Sequence, residues 1–333
     1  MRRFISGLFL LLAVYFALSQ FSELQRAVEI LRRGNFLWIG LAVVVQLTWL
    51  VNLTVMYRAV YGLLNLEVSL PHLLPLVVTS NFVNVVAPSA GVSGMAVFIR
   101  DARRHNLSPA RVTIAGVLFV LFDYAGFICV LMLGLAVLFR RNNLTAAEIG
   151  ASAVLITAAL VLAGLLLLGA RSARALERVL VGSARVINSL LRPLLRRDYL
   201  SEKRAHTFAL EAAEGLSAVR TGWRNYLLPF ALALSGKALL ITLLFLAFLA
   251  FKQPFSVGTL IAGFSMGFLS MIVSPTPMGI GIVEGAMTLG LISLNVPREA
   301  ATIITLAYRG LTFWLPFVYG LITLRVLERR WRG

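Results

Sequence analysis

A chain of 333 residues that is 59% hydrophobic and only 14% charged carries more apolar surface than one soluble core can cover. Its net charge of +17 would suit nucleic acid, yet no polar stretch is long enough to fold into a separate binding surface, and anionic lipid is the better-matched attraction. These features exclude a soluble enzyme and describe an all-α polytopic membrane protein, a single integral membrane domain over 1–333.

The first apolar run, 4–20, follows Met1-Arg2-Arg3 and has the outline of a signal peptide, but no small-residue cleavage site follows, so it is expected to remain as a helix. A second run, 36–57, also reaches the roughly 20 residues that cross hydrocarbon. Residues 70–99 read instead as a hairpin. Its tip, NVVAPSAGVSG, is interrupted by Pro88, Gly91 and Gly94, and the arm from Val92 to Ile99 is too short to cross, so the hairpin is expected to be re-entrant. Backbone groups freed by such a break are costly in hydrocarbon and require protein or a wet cavity around them. Asn81 and Asn84, at helical spacing before Pro88, offer amides that fit either that freed backbone or a ligand headgroup.

Runs 112–139 and 150–170 predict two further spans, and Cys129, the one cysteine, reads as a small packing residue inside the first of them. From Arg171 to Arg224 arginines alternate with leucine, valine and alanine at helical spacing, which predicts basic amphipathic helices. That segment fits a solvated linker and equally an electrostatic platform for anionic headgroups. Run 225–251 is a fifth span. The second hairpin, 256–294, is broken at SPTPMGIGIVEG by Pro275, Pro277, Gly279 and Gly281; its arms, 256–274 and 282–294, look long enough to cross, which leaves its re-entrance open. Run 299–324 is the sixth span, followed by a basic tail.

With the N-terminus in the cytoplasm, the inner segments hold 22 of the 31 lysines and arginines and the outer side seven. The positive-inside rule therefore predicts a multi-pass protein of the cytoplasmic membrane with both termini inside. Punctuation also repeats: Pro88 precedes Pro109 by 21 residues and Pro275 precedes Pro297 by 22, while Asp123 precedes Gly134, and Arg309 precedes Gly320, by eleven. In this orientation the segments 36–139 and 225–324 form inverted repeats, a transporter architecture. The same prolines and glycines fit plain turns and close helix packing.

Four ionisable residues fall inside predicted spans or hairpins: Asp123, Lys237, Glu284 and Arg309. Each costs about 2.5–3.5 kcal/mol near the midplane, so one polar centre is expected to gather them. Arg309 is suited to grip a phosphate through two parallel hydrogen bonds, Lys237 to add a second positive charge, and Glu284 to anchor Arg309 or carry a proton, with Asp123 in the corresponding part. A static network of ion pairs fits the same four residues. His72, His105 and His206 fall at loops or span ends without metal-ligand spacing, no serine sits in a nucleophile motif, and no nucleotide-binding loop is present; no metal, cofactor or catalytic step is expected.

Three stretches, NFVNVVAPSAGVSG from Asn81, SPTPMGIGIVEG from Ser274 and AYRGLTFWLPFVYG from Ala307, resemble the membrane-domain family of lysylphosphatidylglycerol synthase, the flippase-like half of the multiple peptide resistance factor. The resemblance implies that Glu284 and Arg309 are the family's characteristic carboxylate and arginine, and that Pro88, Gly91, Gly94, Pro277, Gly279 and Gly281 are its helix-breaking positions. The chain departs from the family pattern at GVSG, where adjacent glycines are expected, and after Leu324, where only a short basic tail takes the place of an aminoacyltransferase domain. The implied activity is movement of an anionic, phosphate-bearing lipid between leaflets through a polar cavity. The alternative is a noncatalytic membrane partner of a lipid-modifying or glycosyltransferase enzyme.

Overall fold

The computed structural model describes residues 25, 28–86, 92–142, 144–195, 202–217, 222–274, 276 and 279–332. The expected span 4–20 and the breakers Pro88, Gly91, Pro275 and Pro277 lie outside the described residues. Among those residues the regular structure is helical: α1 Phe36–Leu63, α2 Leu70–Val86, α3 Val92–Arg104, α4 Pro109–Arg140, α5 Ala146–Arg171, α6 Ala173–Leu195, α7 Glu202–Ser217, α8 Trp223–Ala250, α9 Val257–Val273, α10 Ile282–Ser293, α11 Arg298–Arg309, a π-helical turn Gly310–Trp314, and α12 Leu315–Arg332.

Local chemistry sets the ends. Asn35 accepts the Leu37 N–H at 3.0 Å to start α1, Ser108 with Pro109 starts α4, and Ser256 accepts the Thr259 N–H at 3.1 Å to start α9. Where α1, α3, α4, α8 and α10 stop, Asn65, Asn106, Asn142, Lys252 and Asn295 take positive φ of 53–65°, four of the five being asparagine, the non-glycine residue that best tolerates that conformation.

Five segments are long and apolar enough to cross a membrane: α1, α4, α5, α8, and the stretch Arg298–Leu327 that runs through α11, the π turn and most of α12. They coincide with five of the expected spans. Large apolar side chains face outward along them, Leu41, Val44, Leu47 and Val51 on α1 and Leu160, Val161 and Leu167 on α5, as a lipid-facing surface requires. The chain is a multi-pass α-helical membrane protein. Cys129 departs from expectation: it is exposed on α4, while Phe127 and Leu131 take the inward positions. A run apolar on every face conceals which face turns inward.

The hairpin arms are short. At 1.5 Å per residue, the 17 residues of α2 and of α9 reach about 25 Å, and the 13 of α3 and 12 of α10 about 20 and 18 Å, against a hydrocarbon core of roughly 30 Å. Of the second hairpin's arms, expected to be long enough to cross, α9 reaches the lower end of the roughly 17–25 residues that span and α10 falls short of it. Helix packing is reciprocal: α1 lies on α8, the first hairpin's α2 lies on α12, and the second hairpin's α9 lies on α4. The glycines at matching distances from Asp123 and Arg309 do matching work. A Cβ on Gly134 would stand 2.4 Å from Ser265 Oγ of α9, and one on Gly320 would stand 2.6 Å from Phe82 Cβ of α2.

The turn before α10 needs its glycines. Gly279 and Gly281 have φ of +73° and +77°. A Cβ on Gly279 would also meet Val283 Cγ2 at 2.3 Å and Met271 Cα at 3.1 Å, whereas one on Gly281 would meet nothing within 4 Å. Gly281→Ala is therefore expected to cost about 1–2 kcal/mol from its left-handed backbone alone, and Gly279→Ala distinctly more. Thermal unfolding of the detergent-solubilised variants checks the order; equal losses would refute it.

Candidate functional site

The four intramembrane charges form two ion pairs. Lys237 Nζ on α8 donates to Asp123 Oδ1 on α4 at 2.7 Å, and Arg309 Nε at the end of α11 donates to Glu284 Oε1 at the start of α10 at 2.6 Å. The lysine and arginine side chains are 3% and 5% exposed, their carboxylates 24% and 18%. One polar centre was expected to gather them; the charges are matched two by two, and Phe268 touches Lys237 and borders the Arg309 cavity.

Small residues set the first pair. Gly126, one turn after Asp123, lies so close to α8 that a Cβ on it would stand 3.0 Å from the Cβ and 3.1 Å from the backbone of Ala233, one turn before Lys237. The two helices approach closely there, as small residues in membrane helices permit, and the short carboxylate of Asp123 reaches the lysine. Lys237 Nζ also lies 4.0 Å from the centre of the Phe268 ring of α9.

The second pair is built by the break itself. Glu284 occupies the first turn of α10, where the unpaired N–H groups of the helix start favour a negative charge. The polar backbone around the turn is met by hydroxyls: Ser274 Oγ accepts the Thr276 N–H at 3.1 Å, and Thr276 Oγ1 donates to the Ile280 carbonyl at 3.0 Å. Opposite, Arg309 is the last residue of α11 before the wide turn, in which the Leu315 N–H reaches back five residues to Gly310 O. Pro316 accounts for that turn, because a proline lacks an N–H and crowds the carbonyl four residues back, here Thr312. The Arg309 guanidinium stacks 4.6 Å from the centre of Phe313, inside the turn.

A cavity of about 80 Å³ lies beside the second pair, lined by Trp49, Leu240, Phe268, Met271, Tyr308 and Arg309 among others. A cavity of that size holds waters beside the guanidinium. Phe268 joins the two pairs, bordering the cavity with one face of its surroundings while carrying Lys237 on its ring. Glu284 Oε2 is buried without a hydrogen-bond partner.

At the first hairpin, Asn84 Oδ1 accepts the Gly94 N–H at 2.7 Å. Gly94 is the third residue of α3, so Asn84 satisfies one of the donors that a helix start leaves open, across the break. A Cβ on Gly94 would stand 2.4 Å from Ser80 Oγ, so the two arms touch there. Asn81 Nδ2 is buried without a partner. Neither asparagine lines the cavity beside Arg309.

Several groups escaped the sequence reading. Asn52 and Ser235, both mid-span, hydrogen-bond where α1 crosses α8. Ser274 and Thr276 sit inside the very stretch singled out for its glycines, and their hydroxyls were a legible signal. The histidines, without ligand spacing along the chain, are nonetheless drawn together in part: His72 and His105 both meet Asp101.

Residues 3–320 match the family described as lysylphosphatidylglycerol synthase TM region. A relative from Methanocaldococcus jannaschii, UPF0104 membrane protein MJ1595, is 31% identical over 86 residues, which is 26% of this chain and 26% of that protein. The similar stretch thus spans about a quarter of the relative's length. No solved structure matches.

Proposed function

The chain belongs to the lysylphosphatidylglycerol synthase TM region family, and on that premise we propose that it moves an anionic, phosphate-bearing lipid between leaflets, with Arg309 as the headgroup-binding cation. The observation that carries this reading is a buried arginine, paired with a carboxylate, that borders a cavity at a break in a membrane helix. A guanidinium released by Glu284 presents paired donors that match a phosphate, so a headgroup can replace the carboxylate with little net loss of hydrogen bonding.

The inverted repeats belong to the same proposal. Matched packing of α1 on α8, of α2 on α12 and of α9 on α4, together with left-handed residues after α1 and α8 and after α3 and α10, supports a pseudo-twofold relation between 36–139 and 225–324. In this reading a headgroup reaches Arg309 as the second hairpin shifts against α11. Lys237 and Asp123 hold α4 to α8 and belong to the scaffold of that motion. The basic helices α6 and α7, packed on each other and, through α7, on α4 and α5, supply an attraction for anionic headgroups near the entrance. No step of covalent chemistry is assigned to the chain.

The test is reconstitution of purified protein in liposomes carrying labelled phosphatidylglycerol or labelled phosphatidylcholine in one leaflet. Transfer of the anionic lipid faster than in protein-free liposomes, and faster than of the zwitterionic one, is the expected result. Native protein that moves neither lipid, while a lipid-modifying enzyme co-purifies and loses activity without it, establishes the partner reading instead.

A further inference from the structure

Away from the Arg309 cavity, the open end of the first hairpin gathers His72 from the first turn of α2, Asp101 from the last turn of α3, and His105, the residue directly after that helix. His72 Nε2 lies 2.8 Å from Asp101 Oδ2, and His105 Nδ1 lies 3.3 Å from Asp101 Oδ1 and 3.0 Å from the Asp101 carbonyl oxygen. The two imidazoles meet edge to face with centres 4.7 Å apart. One ligand atom from each of the three residues can be chosen so that all lie within 4.8 Å of one another.

We propose that His72, Asp101 and His105 form a binding site for a divalent transition metal of the zinc class, which clamps the two arms of the first hairpin. The donor set is the imidazole and carboxylate mixture such a metal takes. In a tetrahedron with bonds of about 2.0–2.1 Å, neighbouring ligand atoms stand about 3.3 Å apart; His105 Nδ1 already stands 3.3 Å from Asp101 Oδ1, and His72 Nε2, at hydrogen-bond distance of 2.8 Å from Oδ2, moves back by about 0.5 Å to admit the ion. His105 follows the last residue of α3 and its backbone N–H bonds to the Asp101 carbonyl at 3.1 Å, which keeps the two side chains one turn apart on the same side, and His72 comes from a different helix, 29 residues before Asp101. A metal here therefore ties together two elements that the chain connects only through the break.

Burial suits a site that is both held and reachable. The Asp101 side chain is 6% exposed, while His72 and His105 are 35% and 52% exposed, leaving an approach for the ion and a fourth position for water. The His72 backbone N–H bonds to the Ser69 carbonyl at 3.2 Å, and Ser69 borders a crevice of about 420 Å³ that Arg58 and Glu67 also line. Without a metal, the same three residues make a hydrogen-bonded clamp in which Asp101 serves both rings, and the experiment separates the two.

Full-length protein in detergent, freed of its purification tag and treated with a chelator, is titrated with zinc chloride, and bound metal is counted by elemental analysis and calorimetry. One zinc per chain is expected in the native protein and in His206→Ala, a control for the separate imidazole that pairs with Glu177 at 2.8 Å. His72→Gln and His105→Gln, at partly exposed positions that the fold tolerates, are each expected to weaken binding at least about tenfold and to abolish the rise in melting temperature that zinc produces. Cobalt as a substitute is expected to show the visible bands of a low-symmetry, four-coordinate ion in the native protein alone. Native protein that binds no zinc after chelation overturns the proposal, as does native-like stoichiometry in the His72→Gln/His105→Gln double variant.

Discussion

Arg309→Ala in the reconstituted protein is expected to slow transfer of an anionic lipid by about 10–150-fold, the equivalent of one charge-assisted hydrogen-bonding interaction of about 1.5–3 kcal/mol. It also removes the partner of Glu284, which lies at the start of α10 with one oxygen already unsatisfied. Breaking a buried pair from one side typically costs about 3–5 kcal/mol, because the remaining charge is stranded, so a fall in melting temperature accompanies the loss of transport. Stability and function are separated by adding Glu284→Gln. The double variant no longer strands a charge and is expected to regain most of its thermal stability, yet to remain slow. Arg309→Lys keeps the charge but loses the planar fork and falls between the two. Transfer by the Arg309→Ala/Glu284→Gln protein at the native rate would refute Arg309 as the headgroup ligand and leave the pair a purely structural one.

Lys237→Met is expected to destabilise the protein by a similar amount, about 3–5 kcal/mol, since Asp123 loses its partner beside the close contact of α4 and α8 at Gly126. Here the companion change should restore both properties. Lys237→Met with Asp123→Leu replaces a buried pair by apolar groups of similar volume, an exchange that is often neutral or stabilising. Neither side chain borders the cavity beside Arg309, so the double variant is expected to move lipid within a few-fold of the native rate. A stable double variant that has lost transport would place Lys237 and Asp123 in the lipid's path. The measurements are melting temperature in detergent and transfer rate in liposomes, made on the same preparations.

The membrane spans were legible because crossing hydrocarbon demands about twenty consecutive apolar residues, a requirement visible without any knowledge of packing. Mid-span charges were legible for the related reason that each is expensive where it stands. What a charge pairs with is a property of the fold: Lys237 meets a carboxylate 114 residues away and Arg309 one 25 away, and nothing local distinguishes that pairing from the exchange of partners. Asn84 was recognised as suited to freed backbone, and it caps Gly94. The outward face of Cys129 was hidden because α4 is apolar all round, so no periodicity reports its orientation. The His72, Asp101 and His105 cluster was hidden because its members come from helices that run side by side only after the chain has turned. Pro316 was the overlooked local signal, one that predicts a disturbed turn directly after Arg309.

The reciprocal glycine contacts bear on how the chain is made. Gly134, in the earlier half, receives a hairpin that has yet to be translated, and Phe82, in the hairpin already inserted, awaits Gly320 from the far end of the chain. Synthesis delivers the N-terminal portion first. The nascent protein therefore holds α2 of its first hairpin against α1 and α3, with the face that meets Gly320 waiting for the last span, so the clasp at Gly134 can close before the one at Phe82.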